Sequence, residues 1–294
     1  MHKKRAGLLP YLLVAPTLVF VAVFTIYPTI ASVIGSFYHH RLNILKYRTP
    51  RFYGLGNYHE LFSSADFQQI IVNTLVYTII LVPLTIVVSF LFALWLRPKK
   101  FAPFRIAIFH PTILPAVSAA TIWLFFFTPG YGLFNSFLSS LGYGGPQNWS
   151  SNPQLALFSL VIVAFWKDAG FYMIYFLAGL QNLPKDVYEA LRLEGAHPFV
   201  VFFKFTLPLM RRTTLFVSTI AMVGAFRMVD HVIVITSGGP SNKSSLLLYD
   251  LWQERFENLN VGKSSAITVI LILFLLVFTI SNLLFNERKG VIHD

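Results

Sequence analysis

Apolar residues in this chain are gathered into stretches of roughly twenty rather than spread at amphipathic spacing, and about twenty is what a helix rising 1.5 Å per residue needs to cross about 30 Å of hydrocarbon. Inside hydrocarbon the backbone has no water to bond, so such stretches satisfy their N–H and C=O groups as helices. Lipid is therefore the solvent of most of the chain. The composition agrees, with 55% hydrophobic and only 12% charged residues. The pattern predicts an all-α integral membrane protein.

Six spans are expected, over residues 8–37, 71–96, 104–127, 155–180, 214–236 and 266–285. The first follows Met-His-Lys-Lys-Arg. It is too long for the apolar core of a signal peptide and no small-x-small cleavage pattern closes it, so it reads as a retained membrane helix. Counting Lys and Arg on alternate sides orients the set. The N-terminal segment 1–7, the second-to-third and fourth-to-fifth connections and the tail 286–294 hold fourteen, with Arg105 at the start of the third span counted among them, against seven in the opposite loops. Four of those seven, Arg41, Lys46, Arg48 and Arg51, crowd the first external loop, 38–70, as a local violation of the rule. Both termini are thus expected on the cytoplasmic side of a prokaryotic inner or plasma membrane. Residues 71–285 form the five-helix core, including a long cytoplasmic connection at 181–213 and a long external one at 237–265.

The chain contains no cysteine, which removes disulfides, thiolate metal sites and thiol nucleophiles from consideration. A formal charge of +11 in so apolar a chain flanks membrane segments rather than marking a nucleic-acid surface. There is no phosphate-binding loop, and no carboxylate pair, His cluster or nucleophile–base spacing at one membrane face to support catalysis.

The connection at 181–213 is the most informative segment. It is helix-compatible from Asp186 to Glu194, Gly195 suits a helix end, and Pro198 suits the first turn of a second helix. A short helix, a tight turn and another short helix follow. Within it, Glu189-Ala190-Leu191, Glu194-Gly195-Ala196, and Phe205, Leu207 and Pro208 stand at the spacing of the signature loop of ATP-binding-cassette importer permeases, which this segment closely resembles, with Leu191 in place of the usual third-position Ala. Further landmarks in order, Pro10-Tyr-Leu-Leu-Val-Ala-Pro16, Tyr27-Pro28, Gly54-Leu-Gly-Asn-Tyr58, Asn73-Thr74 and Thr236-Ser-Gly-Gly-Pro240, resemble the carbohydrate and glycerol-3-phosphate branch of that family.

The resemblance implies a non-catalytic subunit whose loop is a coupling helix docked on an ATPase, with Glu189 and Gly195 at the subunit interface. It further implies a second permease subunit, two ATP-binding subunits that use ATP and magnesium, and an external solute-binding protein. This chain itself is expected to bind no cofactor and no metal.

Ionisable groups inside spans are expensive unless they face a cavity or a partner. The fourth span carries Trp166-Lys167-Asp168; the fifth carries Arg227, Asp230 and His231, where a continuous helix would let Asp230 pair with Arg227 three residues away. With Asn73, Trp123, Phe171 and Tyr172 these are the candidate substrate-path residues, because sugars are held by hydrogen-bonding groups and aromatic faces. Buried ion pairs that fix helix packing are the equal alternative, and His231 reads as a satisfied polar group rather than a metal ligand. A sugar, or glycerol 3-phosphate and its diesters, fits the same machinery. A stand-alone secondary transporter would favour inverted repeats or broken paired helices, and neither is visible in the sequence.

Overall fold

The computed structural model describes residues 9–143 and 147–290; the expected N-terminal segment 1–7 and the end of the tail, 291–294, lie outside them. The chain opens with α1 (Leu9–Val21), which continues through a π-helical turn, Ala22–Ile26, into α2 (Tyr27–Gly35). Over Tyr11–Gly35 these make one apolar span with none of its most apolar window buried in protein, the state expected of a helix whose solvent is lipid. A short hairpin follows, β1 (Tyr38–His39) with β2 (Arg51–Phe52), antiparallel with Tyr38 opposite Phe52, and then α3 (Gly56–Ser63) and α4 (Ala65–Trp95).

Next come α5 (Ala102–Ile113), α6 (Ala116–Phe127), α7 (Leu133–Ser140) and α8 (Ala156–Gln181). The 181–213 connection contains α9 (Lys185–Leu193), α10 (Pro198–Val201), a π turn at Phe202–Thr206 and α11 (Leu207–Leu209). The remainder is α12 (Arg211–Arg227), α13 (Asp230–Ile235), α14 (Leu247–Trp252) and α15 (Val261–Gly290). Among the described residues, four helices are long and apolar enough to span a membrane, at Tyr11–Gly35, Ala65–Trp95, Ala156–Gln181 and Val261–Asn282.

The expected single span over 104–127 is instead two helices bent by 102° at Leu114–Pro115. Proline disfavours helical geometry in the residue before it, and Leu114 is extended, with ψ at 139°. The expected span over 214–236 is also interrupted: Met228 is extended, with ψ at 107°, and ends α12 two residues before α13 begins. No proline stands there.

The chain forms two compact units. One comprises the chain up to Ser64 with Asp250–Ile272. In it Asn57 Nδ2 donates to the carbonyls of Ser36 (2.8 Å) and Tyr38 (2.9 Å), and the Gly262 N–H donates to His40 O at 3.1 Å. Glu60 accepts from Tyr53 Oη at 2.8 Å and pairs with Lys263 at 3.3 Å. Burial alone would raise the Glu60 carboxyl, but these two partners hold it below its ordinary range.

The other unit comprises Ala65–Tyr249 with the chain from Leu273 on, and α8 is its axis. It packs along α4 most extensively, then against α5 and α12. Gly170 allows the α5 approach, since a Cβ there would fall on the Ile108 carbonyl. Polar clasps reinforce the bundle. Ser89 Oγ donates to Ala169 O at 2.8 Å, Thr112 Oγ1 donates to Lys167 O at 3.0 Å, and Asn282 Nδ2 on α15 donates to Thr219 Oγ1 at 2.7 Å on α12. In hydrocarbon such bonds hold helices together where apolar burial does not.

Candidate functional site

Between α9 and α10 the turn is closed by its own backbone. Gly195 sits at φ +67°, its N–H donates to Arg192 O at 3.1 Å, and the Ala196 N–H donates to Leu191 O at 2.9 Å. This pair of bonds is the Schellman ending, which needs a residue tolerant of left-handed geometry at position 195. Two residues on, His197 Nδ1 accepts from the Phe199 N–H at 3.3 Å and Pro198 occupies the first helical position, so the next helix starts at once. The two arms are fastened where Tyr188 Oη and Thr206 Oγ1 hydrogen-bond at 3.0 Å. The Arg97 guanidinium lies over the Tyr188 ring at 5.9 Å, tying the arms to the connection after α4. That connection is itself braced by Arg105, whose Nη2 donates to Arg97 O at 2.7 Å and whose Nε donates to Leu96 O at 2.8 Å.

Of the residues expected at the coupling interface, Glu189, Ala190, Glu194, Gly195, Leu207 and Pro208 are exposed, Ala196 and Phe205 are half-buried, and Leu191 is buried. Leu191 faces the protein, which is why a larger side chain is accommodated there. Apolar residues stand on the outer face, with Leu193 90% and Phe199 65% exposed. Burying such a side chain stabilises by about 1.5–3 kcal/mol, a gain this chain leaves unrealised on its own.

The second arrangement lies where both helix breaks meet α8. A cavity of about 270 Å³ is lined by Ala116, the first residue of α6, by Lys167 and Asp168 of α8, by Gly224 and Arg227 of α12, by Met228, and by Asp230 and His231 of α13. The structure thus brings together the five ionisable residues that the sequence singled out in two separate spans. The Arg227–Asp230 ion pair that a continuous helix would allow does not form, because the interruption at Met228 removes the continuous turn on which i, i+3 pairing depends. Lys167 and Asp168 form no ion pair either; Lys167 Nζ donates to Thr112 O at 3.3 Å. Arg227 and Asp230 are exposed, whereas His231 is buried and hydrogen-bonded to Tyr77 Oη at 3.1 Å. A cavity that carries both signs of charge, unpaired, at a break in two helices can bind a hydrogen-bonding solute.

The remaining candidates sit elsewhere. Asn73 Nδ2 donates to the carbonyls of Asn242 (2.7 Å) and Ser245 (3.1 Å), and the Leu247 N–H donates to Thr74 Oγ1 at 3.0 Å. Asn73-Thr74 therefore pins the loop that follows Thr236–Pro240 to α4. Trp123 is packed among Phe127 (5.2 Å between ring centroids), Trp166 (5.7 Å) and Phe134 (6.2 Å). Phe171 packs on Tyr172 and Tyr175 rather than facing the cavity. Tyr172 is buried beside Gly224, where a Cβ would come within 2.9 Å of its hydroxyl. Sequence reading passed over Gly224, Met228 and Tyr77; of the two helix breaks only Pro115 carried a local signal.

The family described as binding-protein-dependent transport system inner membrane component matches residues 66–291. The chain is 36% identical over 295 residues to the arabinooligosaccharides transport system permease protein AraP of Bacillus subtilis (strain 168), across 98% of this chain and 91% of that protein. It is 33% identical over 300 residues to the sn-glycerol-3-phosphate transport system permease protein UgpA of Yersinia enterocolitica, across 98% and 99%. In fold it resembles, with a TM-score of 0.82 over 96% of each chain and at 19% identity, a chain of a bacterial ABC transporter involved in the import of the acidic polysaccharide alginate. The chain belongs to the binding-protein-dependent transport system inner membrane component family, as a multi-pass membrane permease of an ATP-binding-cassette importer.

Proposed function

We propose that this chain is the non-catalytic permease subunit of a sugar importer, forming half of the translocation path with a second permease. Two ATP-binding subunits that consume ATP and magnesium drive it, and an external solute-binding protein supplies it. In this reading the chain crosses a prokaryotic inner or plasma membrane six times, with α5–α6 and α12–α13 as interrupted crossings and both termini in the cytoplasm. Segment 185–209 is the coupling element. Glu189 and Gly195 meet the ATPase, and the exposed Leu193 and Phe199 add apolar area to that contact. A turn closed by its own hydrogen bonds moves as one body, which supports its use as a lever.

The observation that carries the solute path is the cavity beside α8 with Lys167, Asp168, Arg227 and Asp230 unpaired around it. Its four formal charges cancel, so an anion gains no net attraction, whereas a neutral polyol finds donors and acceptors together. This favours a neutral saccharide, in keeping with the arabinooligosaccharide relative. The glycerol-3-phosphate relatives support the second reading, in which Arg227 and Lys167 take a phosphate.

Arg227→Gln and Asp230→Asn in the assembled importer test this. Each is expected to lower uptake of arabinotriose about tenfold or more while the complex still assembles. Uptake of sn-glycerol 3-phosphate, lost in Arg227→Gln alone, would select the second reading, and failed assembly would make these residues structural.

A further inference from the structure

Beside the large cavity, and sharing Asp168 with it, lies a second, narrow one of about 10 Å³, walled by Leu81, Val82 and Thr85 of α4, Asp168 and Tyr172 of α8, and the small side chains of α12. That is the volume of a single water. Thr85 is 2% exposed and its Oγ1 has no hydrogen-bond partner. Its behaviour is unusual for this helix. About two and three turns earlier, Thr78 Oγ1 donates to Thr74 O at 2.7 Å and Thr74 Oγ1 donates to Ile70 O at 2.8 Å, the back-bond open to a helical threonine. Thr85 makes no such bond, and an orphaned buried hydroxyl is expensive. Asp168, which lines both cavities, makes no hydrogen bond or ion pair to any described residue.

We propose that the narrow cavity holds one ordered water bridging Thr85 Oγ1, the Tyr172 hydroxyl and the Asp168 carboxylate, making Thr85 a positioning residue that presents Asp168 to the solute. Three polar groups match the usual hydrogen-bond number of a buried water, and they are too few for an alkali cation, which takes about six oxygens. The water satisfies Thr85 and occupies the inner side of the carboxylate, leaving its outer side toward the large cavity. Gly224 contributes by leaving room for the Tyr172 hydroxyl. This role for Thr85 rests on the cavity beside α8 being the solute path.

Density maps of the assembled importer in lipid nanodiscs, at a resolution that shows waters, test the site. One peak within hydrogen-bond distance of Thr85 Oγ1 is expected in the parent and in Thr85→Ser, and none in Thr85→Val, where the Asp168 carboxylate changes orientation. An empty cavity in the parent, or an unmoved Asp168 in Thr85→Val, overturns the proposal. In uptake of arabinotriose and sn-glycerol 3-phosphate, Thr85→Val should raise the apparent KM about five- to tenfold for the transported probe, with Vmax nearly kept and Thr85→Ser restoring the parent value. A lowered Vmax at unchanged KM would instead mark a packing role and overturn it. Asp168→Asn separates the two readings: if it leaves KM unchanged, the solute path itself is wrong, whereas if it raises KM and Thr85→Val does not, only the water bridge fails.

Discussion

Segment 185–209 and the cavity beside α8 both lie at interruptions between helices, yet they are held in opposite ways. The segment closes on itself: its turn is made by bonds from residues 195 and 196 to residues 192 and 191, and its arms are joined by Tyr188 and Thr206. The cavity has no local closure. Its walls come from α6, α8, α12 and α13, and its charges form no ion pair among the described residues, Lys167 Nζ bonding the Thr112 carbonyl instead. A self-closed element keeps its shape while it is pushed, whereas an open set of charges on broken helices can change partners as the helices move. The contrast suits a lever at one place and a changing binding site at the other.

The largest expected effect concerns the self-closed turn. Gly195 has nothing within 4 Å of a built Cβ, so crowding is not its constraint; its φ of +67° is. Gly195→Leu forces a left-handed conformation costing about 1–2 kcal/mol and places bulk on the exposed face, and uptake is expected to fall tenfold or more with insertion unchanged. Gly195→Asn, which tolerates that conformation, should retain most uptake. Equal losses in both would mean that the turn's geometry is not what matters.

The cavity side should respond differently, through helix packing. Gly170→Ala pushes a methyl onto the Ile108 carbonyl and is expected to destabilise the α5–α8 contact by about 1–3 kcal/mol, read as a lower melting temperature of the purified complex. A melting temperature equal to the parent's would show that α5 shifts freely along α8. A smaller effect is expected of Tyr77→Phe, which removes the partner of His231 at the cavity wall. It should cost about 1 kcal/mol, seen as a few-fold change in uptake KM with assembly intact. No change would mean that His231 is held by packing alone.

This difference also explains what could be read from the amino-acid order. The 181–213 connection was legible because its determinants are local: glycine where a left-handed residue is needed, proline at a helix start, and the spacing of Glu189, Gly195 and Pro208. The apolar stretches likewise announced a helical membrane protein. The cavity was legible only as a set of costly residues, since Lys167, Asp168, Arg227, Asp230 and His231 were conspicuous but their relation was not. The interruption at Met228 follows from no breaker residue, so a continuous helix, on which Arg227 and Asp230 could pair, was expected in its place. The break at Leu114–Pro115 did have a signal in Pro115, overridden by the apolar run around it. Asn73 was visible as a polar residue in a span, but its partners, the carbonyls of Asn242 and Ser245, lie some 170 residues on and carry no side-chain signature.

The chain's lack of cysteine makes one experiment unusually clean. With Asp230→Cys as the sole thiol of this chain, the assembled importer is treated with a charged, membrane-impermeant methanethiosulfonate reagent, with and without arabinotriose or sn-glycerol 3-phosphate and the binding protein, and labelling is read on this chain alone. If the cavity is the solute path, the thiol is labelled from water and the transported probe slows the labelling severalfold. A thiol that stays unlabelled, or is labelled at a rate neither probe changes, would contradict it.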